Sequence, residues 1–153
     1  MKILIFGLPG SGKTTLAKPF ADLIGAVHIN ADAVRTQYEG PDMTKWNFSL
    51  EGRMQQSQRM RHLADGVVMA GKIAVADFVC PTEEARTQFA PNYTVWMDTI
   101  KEGRFEDTNK MFQPVKEANF VCEYKDATTL GYLILQEVRD KIQEEKNEHR
   151  SSE

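Results

Sequence analysis

Cysteine and histidine are scarce in this chain of 153 residues, which holds two of the first, Cys80 and Cys122, and three of the second. Both cysteines stand at or near the ends of apolar runs, a setting that favours two free buried thiols over a disulfide. The histidines are too scattered for zinc-ligand spacing. Positive charge is not in excess either: the formal charge is -3, which offers no electrostatic footprint for a nucleic-acid backbone. No apolar run approaches a membrane span. The opening MKILIFG enters a glycine-rich loop directly, without the h-region and cleavage site of a signal peptide. These absences predict a cytoplasmic protein with neither nucleic-acid nor membrane partners. What is present, 41% hydrophobic and 27% charged residues, suits one globular domain over residues 1–153.

Apolar patterning supplies the architecture. Lys2 to Phe6 is a short buried-strand run, and Leu16 to Ile24 reads as helix until Gly25 stops it. Ala26 to Ile29 fits a second strand. Gly40-Pro41 marks a turn in a polar stretch from Tyr38 to Ser49, and helix is predicted from about Leu50 to Ala70. KIAVADFVCP, residues 72–81, is a near-continuous apolar run of the kind covered on both faces of a parallel sheet. A short helix over Glu83 to Phe89 and strands in YTVWMDT and NFVCEY follow. The tail is helical from Asp126, and its charged end, about 143–153, is expected to fray. Five strands alternating with helices, and no repeat or linker, predict an α/β fold: a three-layer α/β/α sandwich with a five-stranded parallel sheet.

GLPGSGKTT, Gly7 to Thr15, carries the chemistry. Gly7, Gly12, Lys13 and Thr14 satisfy G-x-x-x-x-G-K-[ST] after a strand and before a helix, as that motif requires. The backbone N–H groups of Leu8, Pro9's successors Gly10, Ser11 and Gly12, and of Lys13, Thr14 and Thr15 then cradle phosphate at a helix N-terminus. Lys13 is expected on the terminal phosphates and the Thr14 hydroxyl on Mg²⁺, so ATP or GTP binding is predicted. A guanine-reading N/T-K-x-D pattern is not supplied by WMDT, and a small stand-alone domain of this kind suits γ-phosphoryl transfer to a small acceptor.

Asp32 follows the second strand, where it either caps a helix or orients an acceptor hydroxyl and helps hold Mg²⁺. Arg35, one helical turn on, is either a solvated cation or a ligand for an anionic acceptor. Asp77 lies inside an apolar strand and needs a partner, a Mg²⁺-water contact or a buried hydrogen-bond network. Arg53 stands one turn from Ser49 and is a second candidate for the acceptor's anion. Trp46 and Phe48 either face the acceptor or anchor their loop. Lys101, Arg104 and Lys110 form a lid over the phosphates or a solvated face.

Taken together, the motifs resemble the adenylylsulfate kinase family of P-loop kinases over roughly residues 2–99. IFGLPGSGKTTLA resembles that family's opening, INADAVR its D-G-D-x-x-R, NFSLEGRMQQSQR its F-S-x-x-x-R-x-x-N-x-R, VADFVCP its apolar strand ending in S-P, and VWMDT its later V-D-T. The resemblance implies transfer of the ATP γ-phosphoryl group to the 3′-hydroxyl of adenosine 5′-phosphosulfate in sulfate assimilation, with ATP and Mg²⁺ as cofactors and a homodimer allowed. It implies Lys13 and Asp32 as catalytic groups, and Thr14, Asp32 and Asp77 at the metal. It further implies an acceptor site of Asp32, Arg35, Phe48, Arg53, Gln56, Phe78 and Cys80, with the arginines on the phosphosulfate and Phe48 on the adenine. Asn30 and Ala31 replace the first Asp and the Gly of D-G-D, Gln56 replaces Asn, Thr82-Glu83 replaces an aromatic-basic pair, and the basic lid is short. A related small-molecule kinase and a nucleotide-binding protein without turnover are the alternatives these departures leave open.

Overall fold

The computed structural model describes residues 1–152. Five strands form one parallel sheet in the order β2-β3-β1-β4-β5: β1 Lys2–Phe6, β2 Val27–Asn30, β3 Ala74–Phe78, β4 Tyr93–Met97 and β5 Phe120–Cys122. Between them run α1 Lys13–Ile24, α2 Ala31–Glu39, α3 Leu50–Met69, α4 Glu83–Phe89 and α5 Glu106–Met111, and the chain closes with α6 Ala127–Ser152. This is the three-layer α/β/α sandwich expected from the alternation of apolar runs.

Because strand side chains alternate between faces, each central strand feeds two cores. Ile3, Ile5, Val75, Val95 and Met97 pack with Leu16 and Phe20 of α1 and Leu130 and Ile134 of α6. Leu4, Phe6, Ala76 and Phe78 face the other way, against Val34 of α2, Met60 and Ala64 of α3, and Ala85 and Phe89 of α4. The two-sided burial explains why β1 and β3 read as continuous apolar runs. It also brings Gly7, Asn30, Cys80 and Asp98 to one side of the sheet, at or just past the carboxyl ends of four strands.

The helix expected from Leu16 begins three residues earlier, at Lys13, since Gly12 is left-handed at φ 96° and launches the helix straight from the loop. The polar stretch after Tyr38 is more ordered than its composition suggested, with helix to Glu39 and a 3₁₀ turn at Met43–Lys45. The charged tail expected to fray is helical through Ser152. Side-chain bonds at four-residue spacing, Gln136 to Asp140 and Gln143 to Asn147, each 3.1 Å, support those exposed turns. Both cysteines are free and buried, as expected. No helix among the described residues is long and apolar enough to cross a membrane.

Arg86 of α4 was not singled out by its sequence context, yet it is buried and holds two segments together. Its guanidinium donates to the carbonyls of Cys80 (3.0 Å) and Pro81 (3.1 Å) after β3, to that of Gln113 (3.0 Å) beyond α5, and to Glu83 (2.8 Å). Phe6 and Phe112 pack on it, 4.9 and 4.8 Å from their ring centroids. The carbonyl it holds on Cys80 belongs to a residue in left-handed backbone, φ 47°, so the arginine braces a turn that a non-glycine residue adopts only at some cost. Arg86→Leu should strip buried carbonyls of their donor and lower unfolding free energy by about 3 kcal/mol, measurable by urea denaturation. A loss within about 0.5 kcal/mol, the range of ordinary surface changes, would refute the bracing role.

Candidate functional site

The glycine-rich loop closes over its own backbone at the end of β1. Gly10 and Gly12 are left-handed, φ 85° and 96°, a geometry available to glycine without a Cβ penalty. At Gly7 the constraint is space, because an added Cβ would lie 2.8 Å from the Met97 carbonyl of the neighbouring strand. The Thr99 hydroxyl donates to the Ser11 carbonyl at 2.7 Å, tying the loop to the segment after β4. Ser11 is fully buried and its hydroxyl finds no partner among the described residues. Leu8 is buried, Pro9 half-buried, and Gly10, Thr14 and Thr15 are exposed at the rim.

Lys13 curls back to donate to the Leu8 carbonyl at 2.9 Å. Burial pushes its ammonium down to a pKa of about 8, against attraction from Asp77 and Asp32, with Arg53 adding repulsion. Those influences show that the loop, the carboxylates of β3 and α2, and the arginine of α3 share one field.

Asp77 is buried and fully engaged. One carboxylate oxygen accepts from the Thr14 hydroxyl at 3.0 Å; the other faces His28 Nε2 and Asn30 Nδ2, the latter at 3.4 Å. Asn30 also donates to Thr14 at 3.3 Å. His28 and Asn30 were not predicted as partners; their two-residue spacing on β2, which places both on the Asp77 face, was the available signal. Asn30, and not Asp32, caps α2 by accepting from the Ala33 N–H at 3.0 Å. That corrects the capping alternative for Asp32, which is exposed at the start of the helix. The Thr14 hydroxyl and Asp77 carboxylate are hard oxygen donors that fit Mg²⁺. Among the described residues no group of three or more His, Cys, Asp or Glu side chains could cage a metal.

On the other side of the loop, Arg35 and Arg53 converge on Phe48, their guanidinium carbons 4.6 and 4.8 Å from its ring centroid. Arg35, 2% exposed, donates Nη1 to Glu39 (2.8 Å) and to the Asn47 carbonyl (3.0 Å), while Nη2 has no partner. It is therefore not the solvated cation that was one alternative for it. Arg53, 9% exposed, donates Nη2 to the Thr108 hydroxyl of α5 at 3.0 Å, while Nε has none. Burial, then the neighbouring Arg35, lowers the Arg53 pKa to about 10. Arg35 is paired with Glu39 while Arg53 has no carboxylate partner, and each keeps one buried N–H without a partner among the described residues, a donor of the kind that can bind an anion.

Other expected residues lie elsewhere. Trp46 is buried and donates its indole N–H to the Gly40 carbonyl at 2.8 Å, so it anchors the loop and does not face an acceptor. Phe48 is 43% exposed. Gln56 is buried and donates to the Ala31 carbonyl at 2.9 Å, joining α3 to the start of α2. Phe78 and Cys80 are buried in the core below the site. The lid segment lies near the loop through Gly103, where an added Cβ would sit 3.1 Å from the Pro9 carbonyl. Its cations are engaged locally: Lys101 with Asp98 and Lys110 with Glu106, each at 3.3 Å, and Arg104 over Phe105.

Two predictions follow from this packing. The unfolded chain holds the Lys13 proton up to about pH 10.5 and the folded chain only to about 8, so this group makes stability rise with pH between those values and penalises the fold below them. Lys13→Met should therefore stabilise the nucleotide-free protein at pH 7 by about 1–3 kcal/mol, read from thermal or urea melting; a destabilised variant would contradict it. Gly52 meets the Asn47 carbonyl so closely that an added Cβ would lie 2.2 Å away. Gly52→Ala should cost about 1–3 kcal/mol through overpacking and shift the Phe48 loop, seen as changed aromatic NMR signals; unchanged stability would show that the loop yields freely.

Comparison with known proteins agrees with the fold. A family model described as AAA domain matches residues 3–94, more than half of the chain. A shikimate kinase of Actinobacillus pleuropneumoniae is 24% identical over 111 residues, covering 71% of this chain and 64% of its own length. A probable adenylyl-sulfate kinase of Aeropyrum pernix is 29% identical over 85 residues, 55% of this chain and 46% of its own. The chain thus spans less than two thirds of the length of these curated relatives. Among solved structures, an APS kinase of Mycobacterium tuberculosis in complex with AMPPNP and APS superposes with a TM-score of 0.71 at 14% identity, over 90% of this chain and 96% of that one.

Proposed function

The chain belongs to the AAA domain family whose model it matches over residues 3–94, and from that premise we propose that it is an ATP-dependent P-loop kinase acting on a small anionic, hydroxyl-bearing acceptor. The observation that carries this reading is the placement of two buried guanidiniums, each with a spare N–H, in the same field as Lys13 and Asp32. Spare guanidinium donors near Lys13 are the feature that favours an acceptor site over a nucleotide-binding protein without turnover.

In this reading the loop amides and Lys13 hold the ATP phosphates. Thr14 and Asp77 would hold Mg²⁺, which supplies charge neutralisation on the phosphates when bound. Arg35 and Arg53 take the acceptor's anionic group and so fix where its hydroxyl lies. Asp32, exposed beside them and free of capping duty, accepts the hydroxyl proton or aligns the oxygen in line with the γ-phosphate. Asn30 then acts through Thr14 and Asp77, holding the metal-side oxygens, instead of serving as a base.

The chemistry of Phe48 narrows the acceptor. Its ring already packs on two guanidiniums, so an adenine stacked there would compete with them for the ring, whereas a compact carboxylate or phosphate bound at their edges would not. This favours a non-nucleotide acceptor, of which shikimate, named in a relative, is one example. Adenosine 5′-phosphosulfate is the second reading, supported by the likeness of NFSLEGRMQQSQR and INADAVR to adenylylsulfate kinases.

The test is phosphoryl transfer from labelled ATP with Mg²⁺ to a panel holding shikimate, other hydroxy acids, sugar phosphates and adenosine 5′-phosphosulfate. Transfer to one of the anionic acceptors is expected, and transfer to none would sink the kinase reading. With that acceptor, Arg53→Met should raise its KM by at least about tenfold with ATP affinity little changed, and Asp32→Asn should lower kcat by at least about tenfold. Normal turnover by Asp32→Asn would remove it from the reaction.

A further inference from the structure

A histidine two residues before Asn30 also turns toward Asp77. In the parallel register His28 stands opposite Val75 and Asn30 opposite Asp77, so His28 shares a face with Asn30 and reaches Asp77 on the diagonal. Its Nε2 meets one carboxylate oxygen, Oδ2. A carboxylate oxygen accepts, so Nε2 is the donating nitrogen in this contact. The second contact of Oδ2, from Asn30 Nδ2, is 3.4 Å long, beyond the ordinary N–H···O range. His28 is therefore the main donor to that oxygen, and both partners are largely out of water, the His28 side chain 18% exposed and that of Asp77 3%.

From Asp77 the bonds run on to the phosphate loop. The other carboxylate oxygen, Oδ1, accepts from the Thr14 hydroxyl at 3.0 Å, and Thr14 in turn accepts from Asn30 Nδ2 at 3.3 Å. A hydroxyl has one hydrogen and two lone pairs. With the hydrogen given to Asp77 and one lone pair engaged by Asn30, a single lone pair is left for a cation on the phosphates. The direction of that pair depends on where Asp77 Oδ1 lies. A carboxylate held at Oδ1 alone can turn about χ2, a broad torsion for Asp; the His28 bond at Oδ2 stops that turn.

We propose that His28 is a positioning residue for the divalent cation that accompanies the nucleotide: it fixes the plane of the Asp77 carboxylate and, through Asp77, the direction in which Thr14 offers its oxygen. This rests on the nucleotide-binding reading above and goes beyond it by assigning a role to the residue that precedes the INADAVR segment. Partners that hold a ligating group from outside the coordination shell set how that group is presented, and removing one typically weakens metal affinity by about 10–100-fold. A His28 that served only to satisfy a buried carboxylate would affect the stability of the fold and not the response of nucleotide binding to the metal.

That response is the quantity to read. ATP is titrated calorimetrically into the full chain with Mg²⁺ and, separately, with EDTA in place of the metal, for the parent and for His28→Gln, His28→Leu and His28→Asn. Gln can bring an amide N–H to the place of Nε2, Leu fills the space without a donor, and Asn carries a donor too short to reach Oδ2. The parent should bind ATP more tightly with Mg²⁺ than without. His28→Leu and His28→Asn should lose about tenfold in ATP affinity with Mg²⁺ and change little with EDTA, while His28→Gln should keep most of the parent's response. Asp77→Asn should show the same selective loss, and adding His28→Leu to it should cost little more, because His28 acts through Asp77. Where Leu unfolds the chain, the polar Asn and Gln variants carry the comparison. An unchanged metal response in His28→Asn, or equal losses with Mg²⁺ and with EDTA, would overturn the positioning role while leaving the nucleotide site intact. Binding by the parent with no response to Mg²⁺ would overturn the metal side, His28 included, and failure of the parent to bind ATP at all would overturn the nucleotide reading and His28's role with it.

Discussion

Keeping positive charge out of water at the carboxyl edge of the sheet is the constraint around which this molecule is arranged. Arg35 bears on Arg53 and Arg53 on Lys13, and burial pulls all three toward the neutral form. An isolated buried cation would cost several kcal/mol. Each is therefore given partial compensation, and the compensators come from every nearby element. The Leu8 carbonyl serves Lys13, Glu39 and the Asn47 carbonyl serve Arg35, and the Thr108 hydroxyl serves Arg53. Phe48 offers its ring to both arginines. Compensation stops short of completion: Arg35 Nη2 and Arg53 Nε remain unpartnered.

Asp77 is the counterweight. It is the buried carboxylate on β3, and the groups about it, Thr14 from the loop, His28 and Asn30 from β2, come from elements that meet only because β3 lies between β1 and β2. Sheet order thus decides which strand end can face the phosphate loop. Asn30 shows how much one side chain is asked to do there, since it caps α2 with its oxygen and bonds Thr14 and Asp77 with its nitrogen. An aspartate at this position could cap the helix but would have no N–H for the other two.

The layered fold and the loop were legible because both rest on periodic or contiguous signals. Two-sided burial writes itself into the apolar runs of β1 and β3, and the spacing of Gly7, Gly12, Lys13 and Thr14 is local. Asp77 was legible too, as a charge where the pattern allowed none. What escaped was partner choice. Trp46 and Phe48, two residues apart in the same polar loop, take opposite fates because the Gly40 carbonyl lies within reach of the Trp46 indole while Phe48 meets two arginines arriving from α2 and α3. Gln56 aligned with an acceptor residue of a similar family but bonds the Ala31 carbonyl. Arg86 acts on main-chain carbonyls, and a carbonyl carries no residue identity for a pattern to detect.

The segment after β4 shows how these interactions combine. Its beginning is tied to the phosphate loop by Thr99, its middle to the acceptor side by the Thr108–Arg53 bond, and its end to the β3–α4 turn by Arg86. The three ties differ in kind. Those of Thr99 and Arg86 hold backbone carbonyls and need no ligand, so the ends of the segment are fixed. The Thr108 contact alone uses a group that the acceptor would also engage, since it shares the Arg53 guanidinium with the unpartnered Nε. An anion drawn to Arg53 must therefore either accept that hydroxyl as a neighbour or displace it. The short α5 is thus held from both ends of its segment and from the middle by Arg53, so the stretch lying over Pro9 and Gly10 is positioned by the phosphate loop, the β3–α4 turn and α3 together.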